Sequence, residues 1–344
     1  MRLAHLHLPH TTPFARVSDL QQALTTRLLT YKKLASPGSL SSQEQDRRKP
    51  TSNAATASTA TAPPPPPDPT IITFTPNPVY TTGRRDLPPS NTSTHPPKLL
   101  SLPPSLEPIR SLLTPSGSGP ATAEYHPTLR GGQTTYHGPG QMVAYTILDL
   151  KRLGLTPRCH IRVLENSVID LLGSYGVTGF VTDDPGVWVD DAQVSTSTST
   201  ITSTSSASAS SSIPNTNQPK KITAVGVHLR RNISSYGIGL NVTSEPMWYF
   251  RQIVACGLEG REATSLQGLG VHDASVDQVA AGFVDRFVSR VNADFACGQG
   301  ALGERIEEVY SVRGGIFFDL AFTFLLGTCQ YNGATMIEIL KVLI

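Results

Sequence analysis

Residues 130–141 read Arg130-Gly131-Gly132-Gln133-Thr134-Thr135-Tyr136-His137-Gly138-Pro139-Gly140-Gln141, with the apolar run Met142-Val143-Ala144-Tyr145-Thr146-Ile147-Leu148 directly behind. Glycine admits φ > 0 and lets backbone come close to whatever lies opposite, and proline stiffens the return. A plain turn ahead of a strand needs one or two such residues. A twelve-residue block that also carries a guanidinium and an imidazole reads as a ligand-facing loop feeding a strand.

The remainder of the chain must build a domain around that block. Its 344 residues allow one large or two ordinary domains, but only 38% are hydrophobic. Two low-complexity stretches account for part of the deficit. Residues 36–69 are almost all Ser, Thr, Ala, Pro and charge, and residues 195–219 are mostly Ser and Thr. Neither can bury enough apolar surface to offset the entropy of ordering, so both read as disordered inserts. A single domain over residues 1–312 is expected once they are set aside, followed by an atypical apolar tail over 313–344.

Several function classes fall away on composition. The net charge is +2 with no dense Lys/Arg block, which argues against nucleic acid. No run of about 18 apolar residues exists, which argues against a membrane span. Cys159, Cys256, Cys297 and Cys329 share neither a C-x-x-C spacing nor the density of a disulfide scaffold. No metal-ligand spacing is present, so no metal is expected.

Periodicity supplies the elements. Residues 2–8 alternate as a strand, and Phe14, Val17, Leu20, Leu24, Leu28 and Tyr31 mark a helix that stops before Pro37. Strands are expected over 71–75, 79–82, 142–150, 177–182, 186–190, 222–229 and 236–242, and residues 84–120 read as irregular. Ile161, Leu164, Val168, Leu171 and Tyr175 mark a second helix ending at Gly176. Val276 to Val291 carry a third, with Ser275 and Gln278 as a capping box. Strands interleaved with helices predict a mixed α/β (α+β) domain, and the antiparallel hairpins argue against a doubly wound parallel sheet.

Two further stretches carry chemistry. An apolar run, Ile253-Val254-Ala255, delivers Cys256 to a turn bounded by Gly257 and Gly260, which leaves the sulfur approachable. A free thiol is mostly protonated at neutral pH and needs a nearby cation to act as a nucleophile. In Tyr236-Gly237-Ile238-Gly239 the glycines alternate with apolar residues, so one sheet face carries no side chains there. That is either a close strand packing or a flat wall for a ligand.

These segments, in this order, resemble the octanoyltransferases, the lipoate-protein ligase B family. The resemblance covers most of residues 2–310 and fails from about Arg313. It implies a mixed sheet with flanking helices in the biotin/lipoyl protein ligase (class II aminoacyl-tRNA synthetase/biotin synthetase) fold. It implies transfer of an octanoyl group from acyl carrier protein to a lysine of lipoyl domains through a cysteine thioester. Cys256 matches the acyl-accepting cysteine, and Lys221 heads Lys221-Ile222-Thr223-Ala224-Val225-Gly226 where the family has its catalytic lysine. Arg130, Gly131, Gly132, Gln133, Thr134, Thr135, Tyr136 and His137 would surround the acyl chain and its carbonyl, together with Ala224, Val225, Gly226, Gly237, Ile238 and Gly239. Backbone amides at Cys256 and Gly257, or in the glycine block, are the expected oxyanion donors.

The resemblance implies no cofactor, since the octanoyl group arrives on the phosphopantetheine arm of acyl carrier protein. The implied partners are acyl carrier protein, the lipoyl domains of 2-oxoacid dehydrogenase subunits and the glycine cleavage H protein, acting on a monomer. The expected address is the mitochondrial matrix, or the cytoplasm if no import signal operates. The chain departs from the family at Ala255, where proline is usual, and at Tyr236 and Gly239, where histidine and alanine are more common. The alternatives are an ATP-dependent lipoate or biotin protein ligase of the same fold, weakly echoed in Gly83-Arg84-Arg85, and a non-catalytic lipoyl-domain-binding protein.

Overall fold

The computed structural model describes residues 1–35, 65–86, 101–115, 121–190, 218–293 and 303–313. The expected inserts over 36–69 and 195–219 and the tail over 313–344 lie, except for their edges, outside the described residues. The elements in chain order are β1 (Arg2–Thr12), α1 (Phe14–Leu34), β2 (Thr70–Pro76), β3 (Val79–Thr82), α2 (Arg110–Leu113), β4 (Glu124–Pro127), β5 (Thr135–His137) and β6 (Gln141–Ile147). Then follow α3 (Pro157–Ser174), β7 (Gly179–Phe180), β8 (Gly186–Val189), β9 (Lys220–Arg230), β10 (Ile233–Asn241), α4 (Pro246–Phe250), α5 (Val276–Ala293) and β11 (Glu308–Arg313).

The main sheet has eight strands in the order β11-β1-β2-β6-β10-β9-β8-β7, and a second sheet has the order β4-β3-β5. β1 runs parallel to both β11 and β2, while every pairing from β2 to β7 is antiparallel. The mixed α/β class expected from the strand and helix pattern is the one found.

Both faces of the main sheet are covered, and this explains why β6 reads as an unbroken apolar run. Met142 and Ala144 join the cluster that α3 and α5 build on one face with Leu164, Val168, Phe283 and Phe287. Val143, Tyr145 and Ile147 join the cluster that α1 builds on the other with Phe14, Val17 and Leu20. Each of the larger aliphatic and phenylalanine side chains contributes roughly 1.5–3 kcal/mol by leaving water. The ends of the helices are chemically specified. Thr156 caps α3 by accepting from the Cys159 amide, and Ser275 and Gln278 form the expected reciprocal box ahead of α5.

Three expectations are corrected. β6 stops at Ile147, because the Asp149 carboxylate accepts from the Lys151 amide and from Lys32 Nζ and so turns the chain. β7 is two residues long, since Thr182 and Asp184 exchange hydrogen bonds that bend the chain away from the sheet. The proline-rich segment is not wholly irregular: Pro104–Ile109 forms a 3₁₀ turn running into α2, with Leu106, Ile109 and Leu113 buried against the second sheet. The fixed φ of Pro104 suits the start of such a turn.

Candidate active site

Cys256 sits in a short turn after α4, with φ 58° and ψ 16°, and Gly257 follows at φ 68°. A non-glycine residue in the left-handed region is strained, and such strain collects at functional positions. The strain is held by one short bond, from the Cys256 amide to the Thr134 carbonyl at 2.7 Å. The φ of Gly257 suits glycine, and a Cβ there would also lie 2.0 Å from the Gln133 carboxamide oxygen, so that side chain would have to move. The Gly257 amide donates to Val254 O at 3.1 Å. Both amides of the Cys256-Gly257 pair are therefore engaged, which corrects their expected role as oxyanion donors.

Lys221 reaches the same cleft through a β-bulge. Val187 pairs with Thr223 and Trp188 with Lys221, so β9 has one residue, Ile222, more than β8. In strict alternation Ile222 would share the face of Ala224 and Gly226. Instead it is buried in the α3–α5 cluster, and Lys221 lines the cleft beside Ala224 and Gly226. Lys220 points elsewhere, with its Nζ 3.2 Å from the exposed Glu262 carboxylate. The 262–264 segment clamps the bulge through Lys221 N to Glu262 O and Thr264 N to Lys221 O. Lys221 Nζ donates to Pro185 O at 3.0 Å and stands 4.6 Å from the centroid of the Trp188 ring. Burial holds its pKa below the usual lysine value, opposed by the charges of Cys256, Asp184 and Glu165.

The glycine block lies over this part of the sheet. The Gly131 amide donates to Val227 O at 2.9 Å, pinning the block to β9. Alternation along β5 then sorts its side chains. Thr135 and His137 line the cleft with Arg130, Gly131, Gly132 and Gln133. Tyr136 turns away, fully buried and stacked on Tyr249 at 4.2 Å between ring centroids. Thr134 also turns away from the cleft and is buried: its amide and hydroxyl both donate to Asp86, at 2.7 and 2.8 Å, while its carbonyl holds Cys256. The expectation that Tyr136 and Thr134 surround the ligand is corrected accordingly. Their side chains support the loop from behind.

Arg130 is buried, its guanidinium donating to Thr81 O at 2.8 Å and Thr81 Oγ1 at 2.9 Å, and its Nε has no partner. Burial lowers its pKa, against opposing pulls from Cys256, Tyr145, Tyr236 and Asp86. Thr135 Oγ1 is likewise buried without a partner. Both residues line the cleft, so two polar groups with unused hydrogen-bonding capacity lie close behind its wall.

His137 is oriented by a chain of amides. Asn241 Nδ2 donates to Thr264 O, so its Oδ1 accepts from Gln141 Nε2 at 2.7 Å, and Gln141 Oε1 is left to accept from His137 Nδ1 at 3.1 Å. His137 is thereby set as the Nδ1–H tautomer. Its pKa is lowered to about 4, chiefly by burial and secondarily by Arg130, so the ring is neutral at physiological pH.

Ala224 pairs with Gly239 and Gly226 with Gly237, forming a wall of small residues on one face. Part of it is occupied. A Cβ on Gly239 would lie 3.0 Å from His137 Cε1, and one on Gly226 would lie 3.1 Å from Arg130 Cδ. The wall thus seats those two side chains, and the remainder, with Tyr145, Ile161 and Ile238, bounds a cleft of about 180 Å³. Val225 belongs to the opposite, α3–α5 side by its packing and meets the cleft at its edge. Asp86, Glu165 and Trp188 escaped the sequence reading. Each acts across 21 or more residues of separation or through backbone, and no local pattern announces it. Among the described residues no cluster of three or more metal-ligating side chains occurs.

The profile of the lipoyl protein ligase A/B catalytic domain matches residues 120–288, the stretch that contains the glycine block, Lys221 and Cys256. The chain is 36% identical over 223 residues to a Schizosaccharomyces pombe protein named "Probable octanoyltransferase", a match covering 64% of this chain and 78% of that one. It is 38% identical over 164 residues to an octanoyltransferase of Solibacter usitatus, covering 47% and 60% of the two chains. It is 32% identical over 170 residues to a Danio rerio protein named "Octanoyl-[acyl-carrier-protein]:protein N-octanoyltransferase LIPT2, mitochondrial", covering 49% and 63%. The chain thus spans less than two thirds of the latter two. A crystal structure of P. falciparum LipL1 in complex with lipoate superposes with a TM-score of 0.47 at 9% identity, covering 97% of this chain and 75% of that one. The chain belongs to the octanoyltransferase family.

Proposed function

We propose that the protein transfers an octanoyl group from octanoyl-acyl carrier protein to a lysine amine of lipoyl domains, with Cys256 as nucleophile and Lys221 as acid and base. The observation that carries this reading is the convergence of Cys256, Lys221, Arg130 and Thr135 on one cleft. In the first step the Cys256 thiolate adds to the thioester carbonyl. The pantetheine C–S bond breaks, and the departing thiolate takes a proton from the Lys221 ammonium. In the second step a lysine amine adds to the S-octanoyl carbonyl, Cys256 leaves as thiolate, and neutral Lys221 accepts the proton released by the new amide. Arg130 and Thr135 receive the carbonyl oxygen as it gains charge, in place of the engaged amides at Cys256 and Gly257.

The thioester is already activated, so the reading includes no nucleotide and no metal. The acceptors are the lipoyl domains of 2-oxoacid dehydrogenase subunits and the glycine cleavage H protein. The enzyme acts as a monomer in the mitochondrial matrix, a location supported by the printed name of the Danio rerio relative. Incubation with octanoyl-acyl carrier protein should add one octanoyl group, labile to hydroxylamine and mapped to Cys256 by intact and peptide mass. Transfer to a lipoyl domain with Cys256 never acylated would overturn the covalent route.

A further inference from the structure

The hairpin that precedes β9 forms a seat for Lys221 that goes beyond the pairing of lysine with thiol. Trp188 is fully buried in β8 and is the register partner of Lys221. Its Nε1 donates to Asp184 O at 3.2 Å, which fixes the plane of the indole, and its face lies 4.6 Å from Lys221 Nζ. The same Nζ donates to Pro185 O. Gly186 completes the seat: at φ 132°, a Cβ there would lie 2.4 Å from Thr223 O and 3.3 Å from Lys221 Cε. The guanidinium of Arg261 stands 5.5 Å from the centroid of the same ring. Trp188, Lys221, Thr135 and Cys256 also share a small cavity adjoining the main cleft.

We propose that Trp188 is the positioning residue of Lys221, its indole face and the Pro185 carbonyl holding the ammonium at the junction of the two cavities and setting the pH at which the proton leaves. An aromatic face attracts a cation and gives nothing to a neutral amine, so it favours the protonated form. The titratable groups facing Lys221 are Cys256 from its turn, Asp184 from the turn before β8 and Glu165 from α3, whose anionic forms all favour the ammonium while burial opposes it. Arg261 shares the indole, and Glu262 beside it is bound to Lys220.

The proposal rests on the Cys256–Lys221 reading, and its test separates the two. The full chain is assayed for octanoyl transfer across pH, and for alkylation of Cys256 by iodoacetamide without substrate, as wild type and as Trp188→Phe, Trp188→Leu and Lys221→Met. Trp188→Leu should move the limb on which Lys221 loses its proton to lower pH by about 0.5–1.5 units, the range of a cation–π contact. The maximal rate should fall while KM for octanoyl-acyl carrier protein stays within about twofold. Trp188→Phe keeps a ring face and should move the limb less than half as far. Trp188→Met replaces the leucine variant should that chain fail to fold. A profile unchanged in Trp188→Leu, or moved equally in Trp188→Phe, overturns the proposal while leaving the dyad intact. Wild-type alkylation and transfer in Lys221→Met would overturn both readings.

Discussion

The parity of β9 makes two adjacent lysines inequivalent, and replacing each by methionine tests that geometry. Lys221→Met removes the proposed acid–base group from the cleft, and a positioned proton donor or acceptor is worth about 10²–10⁴ in rate, or about 3–5 kcal/mol at the transition state. Lys220→Met removes an ion pair with Glu262, whose side chain is 72% exposed. Such a surface pair is worth at most about 1 kcal/mol of stability, and it has no part in the cleft chemistry. Its effect on rate should stay within about threefold.

Stability tells these losses apart from misfolding. Burial holds the folded pKa of Lys221 below the unfolded value, so the unfolded chain binds this proton more tightly. The charged side chain therefore costs stability at neutral pH, a cost that fades as pH rises toward the unfolded lysine value. Lys221→Met should accordingly melt no lower than wild type at pH 7 while losing activity. The assay is single-turnover formation of S-octanoyl enzyme followed by intact mass, beside thermal unfolding of each variant. A large rate loss in Lys220→Met with little in Lys221→Met would refute the bulge argument.

His5, His137 and His160 are buried with pKa values lowered to about 4, in each case mainly by burial. The unfolded chain takes up their protons near pH 6.5, so stability should fall as pH drops from 6.5 toward 4, with a slope approaching three protons, about 4 kcal/mol per pH unit. Urea unfolding at pH 7, 6 and 5 measures this, and a flat profile would mean the rings are solvated. A Cβ at Gly237 would lie 2.2 Å from the Ala144 carbonyl, so Gly237→Ala should cost at least about 2 kcal/mol by forcing β10 and β6 apart. In α3, Gly173 has nothing within 4 Å of that position, so Gly173→Ala should stabilise by about 0.5–1 kcal/mol in the same denaturation experiment.

What the sequence made legible and what it hid divide along physical lines. α1, α3 and α5 are long amphipathic elements with local stop or cap signals, and the Ser275–Gln278 box was readable from four residues. β4 and β11 escaped notice because a strand of four polar-mixed residues, or one recruited by a partner some 300 residues away, has no periodicity of its own. Within the site, the glycine block, Lys221 and Cys256 stood out by composition and resemblance. The sorting of the block into cleft-facing Thr135 and His137 and buried Thr134 and Tyr136, turned away from the cleft, needed the knowledge that β5 is a strand, which three residues cannot signal. The bulge at Ile222 depends on the length of β8 as much as on β9, so no reading of either strand alone could find it.

The sheet's pairing pattern also orders its assembly in time. β9 and β10 are joined through Arg231 and Asn232, both at φ > 0, the signature of a two-residue hairpin turn whose twist matches its strands. Contacts of that kind form within microseconds, because almost no chain has to be closed first. The pairing of Leu3 with Val309 lies at the opposite extreme, for nearly the whole polypeptide must be looped before those strands can meet. The cleft-bearing hairpins should therefore acquire native structure first and β11 last. In the folded protein the same asymmetry should appear in reverse under hydrogen exchange, with amides of β11 opening through local release while those of β10 open only with the whole domain.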